Sequence, residues 1–290
     1  MRCRLYKDVA SFYWDAVPVL MRGEARNMIP LGNLMIGQEG KDKTGWRDPA
    51  HWLMAAVSHG ADIRLVVLMT PPHNLTLYAA DNQIDDAALA CLIDALLEAD
   101  IPIPGVMTEK ALAERFAHAY CAAAGLESSV HKSLRLYELR EVNPAILSGQ
   151  IRLATESDMA FLPYWCEGFA SDCFGSPFAV QNDPEPYRYH VSAGNLYILM
   201  DGGTPVSMAN ISRQMRTVCG VGHVYTPPYF RGKGYATACV ASLSRLILDR
   251  GFASCVLYTD LANPTSNSIY QKIGYRPLCD SLEIKFFEKA

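Results

Sequence analysis

The spacing of apolar positions along the chain changes several times, and each change marks an element. Over Cys219–Thr226 (CGVGHVYT) apolar and β-prone residues run almost without interruption, as in a buried strand, and Pro227-Pro228 ends it. From Ala236 the spacing turns helical: Ala236, Cys239, Val240, Leu243, Leu246 and Ile247 fall on one face over about three turns. Between strand and helix lies Arg231-Gly232-Lys233-Gly234-Tyr235-Ala236. Glycine reaches positive φ at low cost, so successive N–H groups in such a turn can converge on one anion. The helix that follows adds unpaired N–H groups and its positive dipole end, and Arg231 and Lys233 add charge. This pattern predicts a phosphate site.

The same reading extends along the chain. Residues 1–60 are expected to be mainly helical: MRCRLYKDVASFYWDAVPVLM as an amphipathic helix, then an irregular piece at Asn27–Trp46. Trp14, Trp46 and Trp52 are expected to be packing anchors. Asp62–Met69 and Asn74–Ala80 read as a hairpin, followed by a helix with Leu89, Leu92, Ile93 and Leu96 on one face. A strand near Ile101–Val106, a helix from Thr108 to about Ala123 and a strand at Ser133–Val142 complete this half. The second half opens with a strand at Gln150–Ala154. Thr155-x-x-Asp158 then starts a helix to about Phe169 in capping-box fashion. Residues 170–188 read as loop, because Gly175, Pro177, Pro184 and Pro186 punctuate them. Strands at Leu196–Met200 and Val206–Arg213 flank the turn Asp201-Gly202-Gly203. The strand, turn and helix described first come next. Beyond them lie a strand at Ser254–Thr259, a short helix Ser266–Ile273 stopped by Gly274, and a strand at Leu282–Phe287.

Both halves thus end in hairpin, helix, strand, helix, strand. They differ in the turn before the long helix. Where the second half has Arg231-Gly232-Lys233-Gly234, the first has Asp81-Asn82-Gln83-Ile84-Asp85-Asp86, whose carboxylates repel a diphosphate. The expectation is an α/β fold (α+β, with a mixed sheet) in two related domains, residues 1–148 and 149–290. Only the second would be ligand-competent, and the boundary would fall near Asn143–Ser148. A single continuous α/β domain with an extended N-terminal cap is the competing arrangement.

Composition narrows the function classes. A net charge of −4 and a pI near 6.0 argue against general nucleic-acid binding. No apolar run reaches the roughly 18 residues needed to span a bilayer, so no membrane partner is expected. Asp8 and Asp15 make the N-terminus a poor signal peptide. Nine scattered cysteines without a C-x-x-C pair point to reduced thiols in a cytoplasmic protein. With no histidine pair at metal-binding spacing, no metal is expected.

Neither a P-loop nor a G-x-G-x-x-G pattern fits the basic turn. Arg231, Gly234 and Ala236 do resemble the Q/R-x-x-G-x-G/A signature of the GNAT N-acetyltransferase superfamily. A second stretch, Asn263 through Ser266, Ile269, Tyr270, Lys272, Gly274 and Tyr275, resembles that family's N-x(n)-A/S-x-x-L/I-Y-x-K-x-G-F/Y pattern. The resemblance covers about Gln150–Phe287. The first half matches by element order, as in tandem members such as glycine N-acyltransferase-like proteins.

The resemblance implies an acyltransferase moving an acetyl group from acetyl-CoA, its co-substrate, to a small primary amine by direct attack in a ternary complex. It implies that Arg231, Gly232, Lys233, Gly234, Tyr235 and Ala236 hold the pyrophosphate. Val224, Tyr225 and Thr226 would offer main-chain groups to the pantetheine where the strand splays from its neighbour, and Asn263 would contact the CoA arm. Tyr270 is the family-matched general acid. His223 is the candidate base, although regular strand alternation puts it on the same face as Tyr225. The stretch Thr155–Tyr189, with Trp165, Glu167, Phe169, Asp172, Phe174 and Phe178, is the expected acceptor region, or else core and solvated loop. A homodimer is a family-level expectation. A longer acyl donor, a non-catalytic acyl-CoA-binding module and a plain helix-capping turn are the rival readings.

Overall fold

The computed structural model describes residues 1–40, 47–146 and 149–289. Trp46 and the Leu147-Ser148 end of the expected boundary lie outside the described residues. The chain divides into two compact units. One comprises Met1–Leu136, Asp260–Ala262 and Pro277–Ala290; the other comprises Tyr137–Thr259 and Asn263–Arg276. A single cut between residues 148 and 149 therefore does not separate them. Apolar side chains explain the exchange: Leu282 and Ile284 bury in the core of the first unit, while Tyr137, Leu139 and Val142 bury in that of the second.

In the first unit the elements are β1 (Arg2–Tyr6), α1 (Val9–Leu20), α2 (Met28–Glu39), β2 (Leu53–His59), β3 (Asp62–Met69) and β4 (Leu75–Ala79). Then follow α3 (Asp86–Glu98), β5 (Gly105–Glu109), α4 (Lys110–Ala124) and β6 (Leu126–Leu139), whose last residues pass into the second unit. The second unit contains β7 (Gln150–Leu153), α5 (Leu162–Phe174), α6 (Glu185–Ser192), β8 (Leu196–Asp201), β9 (Thr204–Gln214) and β10 (Val218–Tyr225). It continues with α7 (Tyr235–Asp249), β11 (Ser254–Asp260) and α8 (Pro264–Ile273), and β12 (Arg276–Glu288) closes the chain. In the first unit the strands run β1-β2-β3-β4-β5-β12; in the second, β11-β10-β9-β8-β7. Both arrays are mixed, because β4 pairs parallel with β5 and β10 with β11, whereas the other strand pairs are antiparallel.

Several expectations for the N-terminal region need correction. The first residues form a strand, β1, before Asp8 caps α1 by accepting from the Ser11 N–H at 2.8 Å. Asn27–Trp46 is not irregular through its described part, since α2 fills Met28–Glu39. Low helix propensity is overridden there by packing: a Cβ on Gly37 would lie 2.5 Å from the Trp52 ring, so glycine lets the helix sit on that indole. Trp52 is buried as expected, whereas Trp14 is 73% exposed and anchors no core. The strand β2 stands where helix is expected. In the second unit, α5 and α6 occupy much of the presumed loop 170–188. Pro186 falls in the first turn of α6, where a missing N–H costs nothing.

Candidate active site

The strand β10 parts from β11 where the expected site lies. Parallel pairing joins Val218 to Ser254, Cys219 to Cys255 and Gly220 to Val256, and stops there, although both strands continue. On its other edge β10 bulges against β9 between Gly222 and Tyr225, so His223 and Val224 leave the ladder register. His223 adopts φ 48°, a left-handed conformation uncommon outside glycine. This bulge overturns the regular alternation assumed for His223. The strand's end is fixed by Ser207, whose hydroxyl donates to the Tyr225 carbonyl at 2.9 Å and lies 2.9 Å from the Thr226 hydroxyl. The Tyr225 ring is buried under α5; a Cβ on Gly168 would sit 2.2 Å from its hydroxyl, so only glycine allows this approach.

After the strand, a single helical turn at Pro228–Phe230 leads into the basic turn. Gly232 and Gly234 stand at φ 78° and 83° with nothing near their missing side chains, so conformation rather than space demands glycine. Gly234 is the N-cap of α7 and offers no side-chain cap. The first helical bond runs from Ala238 N–H to the Gly234 carbonyl at 3.0 Å, which leaves the N–H groups of Tyr235, Ala236 and Thr237 without helical partners. The residues present therefore fit a diphosphate. Lys233 carries its ammonium 5.9 Å from the Phe230 ring centroid. Tyr235 donates its hydroxyl to the Asp201 carboxylate, which raises the phenol's pKa. Arg231 donates to the Thr226 carbonyl at 2.9 Å and to Asp172 on α5 at 2.6 Å.

The counterpart turn in the first unit satisfies itself. Asp85 caps α3 with its own carboxylate, accepting from the N–H groups of Ala87 and Ala88 at 3.0 and 3.2 Å. Arg22 pairs with Asp81, Arg64 with Asp85 and Arg115 with Asp86. Its parted strands are filled as well: β4 pairs with β5 only at Leu75–Val106 and Thr76–Met107, and the Thr108 hydroxyl donates to the Leu77 carbonyl at 2.6 Å. Donors that stay open in one unit are internally capped in the other.

Tyr270, on α8, is 7% exposed between the rings of Tyr137 and Tyr275, at 6.3 and 5.9 Å. Burial raises its pKa and the Cys173 thiol adds to the rise, so the phenol keeps its proton at neutral pH. Asn263 caps α8: its carboxamide oxygen accepts from Ser266 N–H at 3.0 Å, which leaves the amide nitrogen as its remaining polar group. His223 lies between Phe169, stacked at 4.5 Å, and His190 at 4.7 Å, and its Nδ1 is 3.4 Å from the Asn210 amide nitrogen. Burial first and His190 second push its pKa down to about 3. An imidazole so reluctant to protonate is a weak candidate base.

Sequence reasoning did not find Asn210, Ser207 or His190. Asn210 is 4% exposed, and its carboxamide oxygen is buried without a partner beside Gly222. The signal available was polar residues inside the otherwise apolar run of β9. Among the described residues, no group of three or more His, Cys, Asp or Glu side chains could hold a metal ion, and no helix is long and apolar enough to cross a membrane.

Comparison with known proteins identifies the fold. Residues 201–283 match the family model of FR47-like proteins. A search of the curated proteins finds no match. Among solved structures, a GNAT-family acetyltransferase from Colwellia psychrerythraea superposes with a TM-score of 0.59 at 12% identity, covering 100% of both chains. A Drosophila protein superposes at 0.65 with 13% identity over 99% of each chain. A tandem GNAT protein of the clavulanic acid biosynthesis pathway superposes at 0.58 with 10% identity, covering 99% of this chain and 98% of that one. The fold is therefore that of the GNAT superfamily of N-acetyltransferases. Its particular form is the tandem one, with two GNAT-like domains in one chain.

Proposed function

We propose that this protein is an N-acetyltransferase that moves an acetyl group from acetyl-CoA to a primary amine, with the chemistry in the second unit. The observation that carries the reading is the uncapped, glycine-opened N-terminus of α7 beside the parted strands β10 and β11. The open N–H groups, with Arg231 and Lys233, would hold the pyrophosphate, and the free edge of β10 around Val224–Thr226 would receive the pantetheine. Asn263 would steady the arm with its amide nitrogen. A neutral amine then attacks the thioester carbon while its other reactant is held in place, which lowers the entropic part of the barrier. The C–N bond forms, the C–S bond breaks, the amine gives up one proton, and CoA leaves as the thiol. Tyr270, protonated at neutral pH, would donate to the departing sulfur. In this reading the first unit, with its capped turn, is structural or shapes the substrate.

Calorimetric titration of acetyl-CoA, CoA and adenine nucleotides, with and without Gly234→Asp, tests the cofactor half. Micromolar binding of the CoA species is expected, and its loss in the variant, whose carboxylate would face the pyrophosphate from a position at φ 83°. No binding by the wild-type protein would reduce the turn to a helix cap. Tyr270→Phe is expected to bind acetyl-CoA normally and to slow thiol release about 10²-fold. An undiminished rate would remove Tyr270 from the mechanism. Comparison of acetyl-CoA with longer acyl-CoAs in the same assay tests the donor; preference for a longer chain would replace acetyl.

A further inference from the structure

Next to the bulge that carries His223 runs a continuous line of rings. Phe174 packs edge-on to Phe169 at 5.8 Å, Phe169 stacks on His223 at 4.5 Å, His223 meets His190 at 4.7 Å, and His190 meets Tyr189 at 5.8 Å. The line joins α5, β10 and α6. Its ends are open to solvent, with Phe174 64% and Tyr189 40% exposed. Beneath it the buried Asn210 oxygen provides one unused hydrogen-bond acceptor.

The carboxylates of the same region are all engaged. Arg188 holds Glu156 and Glu185, and Arg152 holds Asp158. Tyr187 donates to Glu167 at 2.7 Å, Arg231 donates to Asp172, and Asp183 accepts from the Glu185 N–H. Glu167 and Asp183 accept from uncharged donors, so negative charge that attracts a protonated amine remains in this region. An aromatic body would add a ring to the existing line, in the offset or edge-on geometries that rings prefer.

Resting on the acyl-transfer reading above, we infer that the acceptor is an amine with an aromatic body, such as an arylalkylamine. Its ring would lie along Phe174, Phe169 and His190. Its amine would lie at the His223–Val224 bulge.

The test is steady-state kinetics of the full-length protein with acetyl-CoA and phenethylamine, hexylamine, putrescine or spermidine, with acetyl-CoA binding measured in parallel. Phenethylamine is expected to exceed putrescine and spermidine in kcat/KM by about tenfold or more. Phe174→Ala, at a ring 64% exposed, and Phe169→Leu should each lower kcat/KM for phenethylamine about three- to tenfold, chiefly through KM. Hexylamine should suffer less, and acetyl-CoA binding should not change. A preference for putrescine or spermidine would overturn the assignment. So would ring variants that penalise every amine equally, or bound acetyl-CoA with no amine of the panel accepted. Failure to bind acetyl-CoA at all would instead bring down the acyl-transfer reading beneath it.

Discussion

His223 shows how one residue can be legible in the sequence while its surroundings decide its chemistry. An imidazole beside the expected carbonyl site invites the role of base, because its ordinary pKa lies near neutrality. Its surroundings, however, are Phe169, His190 and a bulged strand, and burial holds its pKa near 3. The folded-state value lies below the unfolded value of 6.5, so the folded protein resists taking the proton. The stability this represents is complete above pH 6.5 and is lost progressively as pH falls toward 3. His223→Gln is therefore expected to be less acid-labile: the stability of the wild type should fall toward that of the variant between pH 7 and pH 4 in thermal unfolding. A constant difference across that range would show that His223 titrates normally. The same value predicts no inflection near pH 6.5 from His223 in the kcat/KM profile. An inflection there that His223→Gln abolishes would restore it as the base. Gly232, Gly234 and Tyr270 are marked in the sequence by residue type and spacing, whereas the Arg231–Asp172 pair and the ring line join residues far apart in sequence. No local pattern marks such contacts.

At the level of elements, strong period changes were readable: β3, α3, β10, α7 and α8 stand close to where their apolar spacing put them. Elements set by partners were not. The strand β1 exists because it pairs with β2 along its whole length. The helix α6 exists despite Pro184 and Pro186, because prolines at a helix start remove only an N–H that was already unpaired. The capping box at Thr155 was recognised, but it starts a short 3-10 turn at Glu156–Ala160, and α5 begins only at Leu162. Its strength lies in Asp158. This carboxylate is 3% exposed, accepts from Arg152 at 2.6 and 2.7 Å, and accepts from the Thr155 N–H at 2.7 Å. Burial alone would raise its pKa, but the Arg152 and Thr155 bonds prevail and hold it below 3.8. Its stabilisation is thus present above the ordinary carboxylate range and lost as pH falls below it. Asp158→Asn keeps the shape but surrenders the charge, and leaves Arg152 uncompensated. A loss of about 1–3 kcal/mol is expected in urea unfolding at pH 7. The difference should shrink at pH 3, and a variant as stable as wild type at pH 7 would show that the box is dispensable.

The two units also determine how the whole chain can be divided. The sequence suggested two contiguous halves because both repeat the same element order, and that repetition is real. What the order could not show is where each last strand goes. Residues from Pro277 on belong to the first unit, where β12 pairs with β5 from Ser281–Glu109 to Lys285–Gly105 and buries Leu282 and Ile284. Tyr137 and Leu139 belong to the second unit, 0% and 1% exposed, and the Tyr137 hydroxyl donates to Asn267 at 2.9 Å. A fragment of residues 149–290 would therefore lack Tyr137, Leu139 and Val142 from its core. At roughly 1.5–3 kcal/mol for each large buried side chain, that deficit rivals the 5–15 kcal/mol that holds a typical domain folded. A fragment of residues 1–148 would lack β12 and expose the edge of β5. Neither is expected to give a cooperative unfolding transition or acetyl-CoA binding alone, whereas the two co-expressed should restore both properties. A fragment of residues 137–290, which regains Tyr137, Leu139 and Val142, should be more ordered than 149–290 by circular dichroism. If 149–290 instead unfolds cooperatively and binds acetyl-CoA as the whole chain does, then the strand exchange is dispensable and the second unit is self-sufficient.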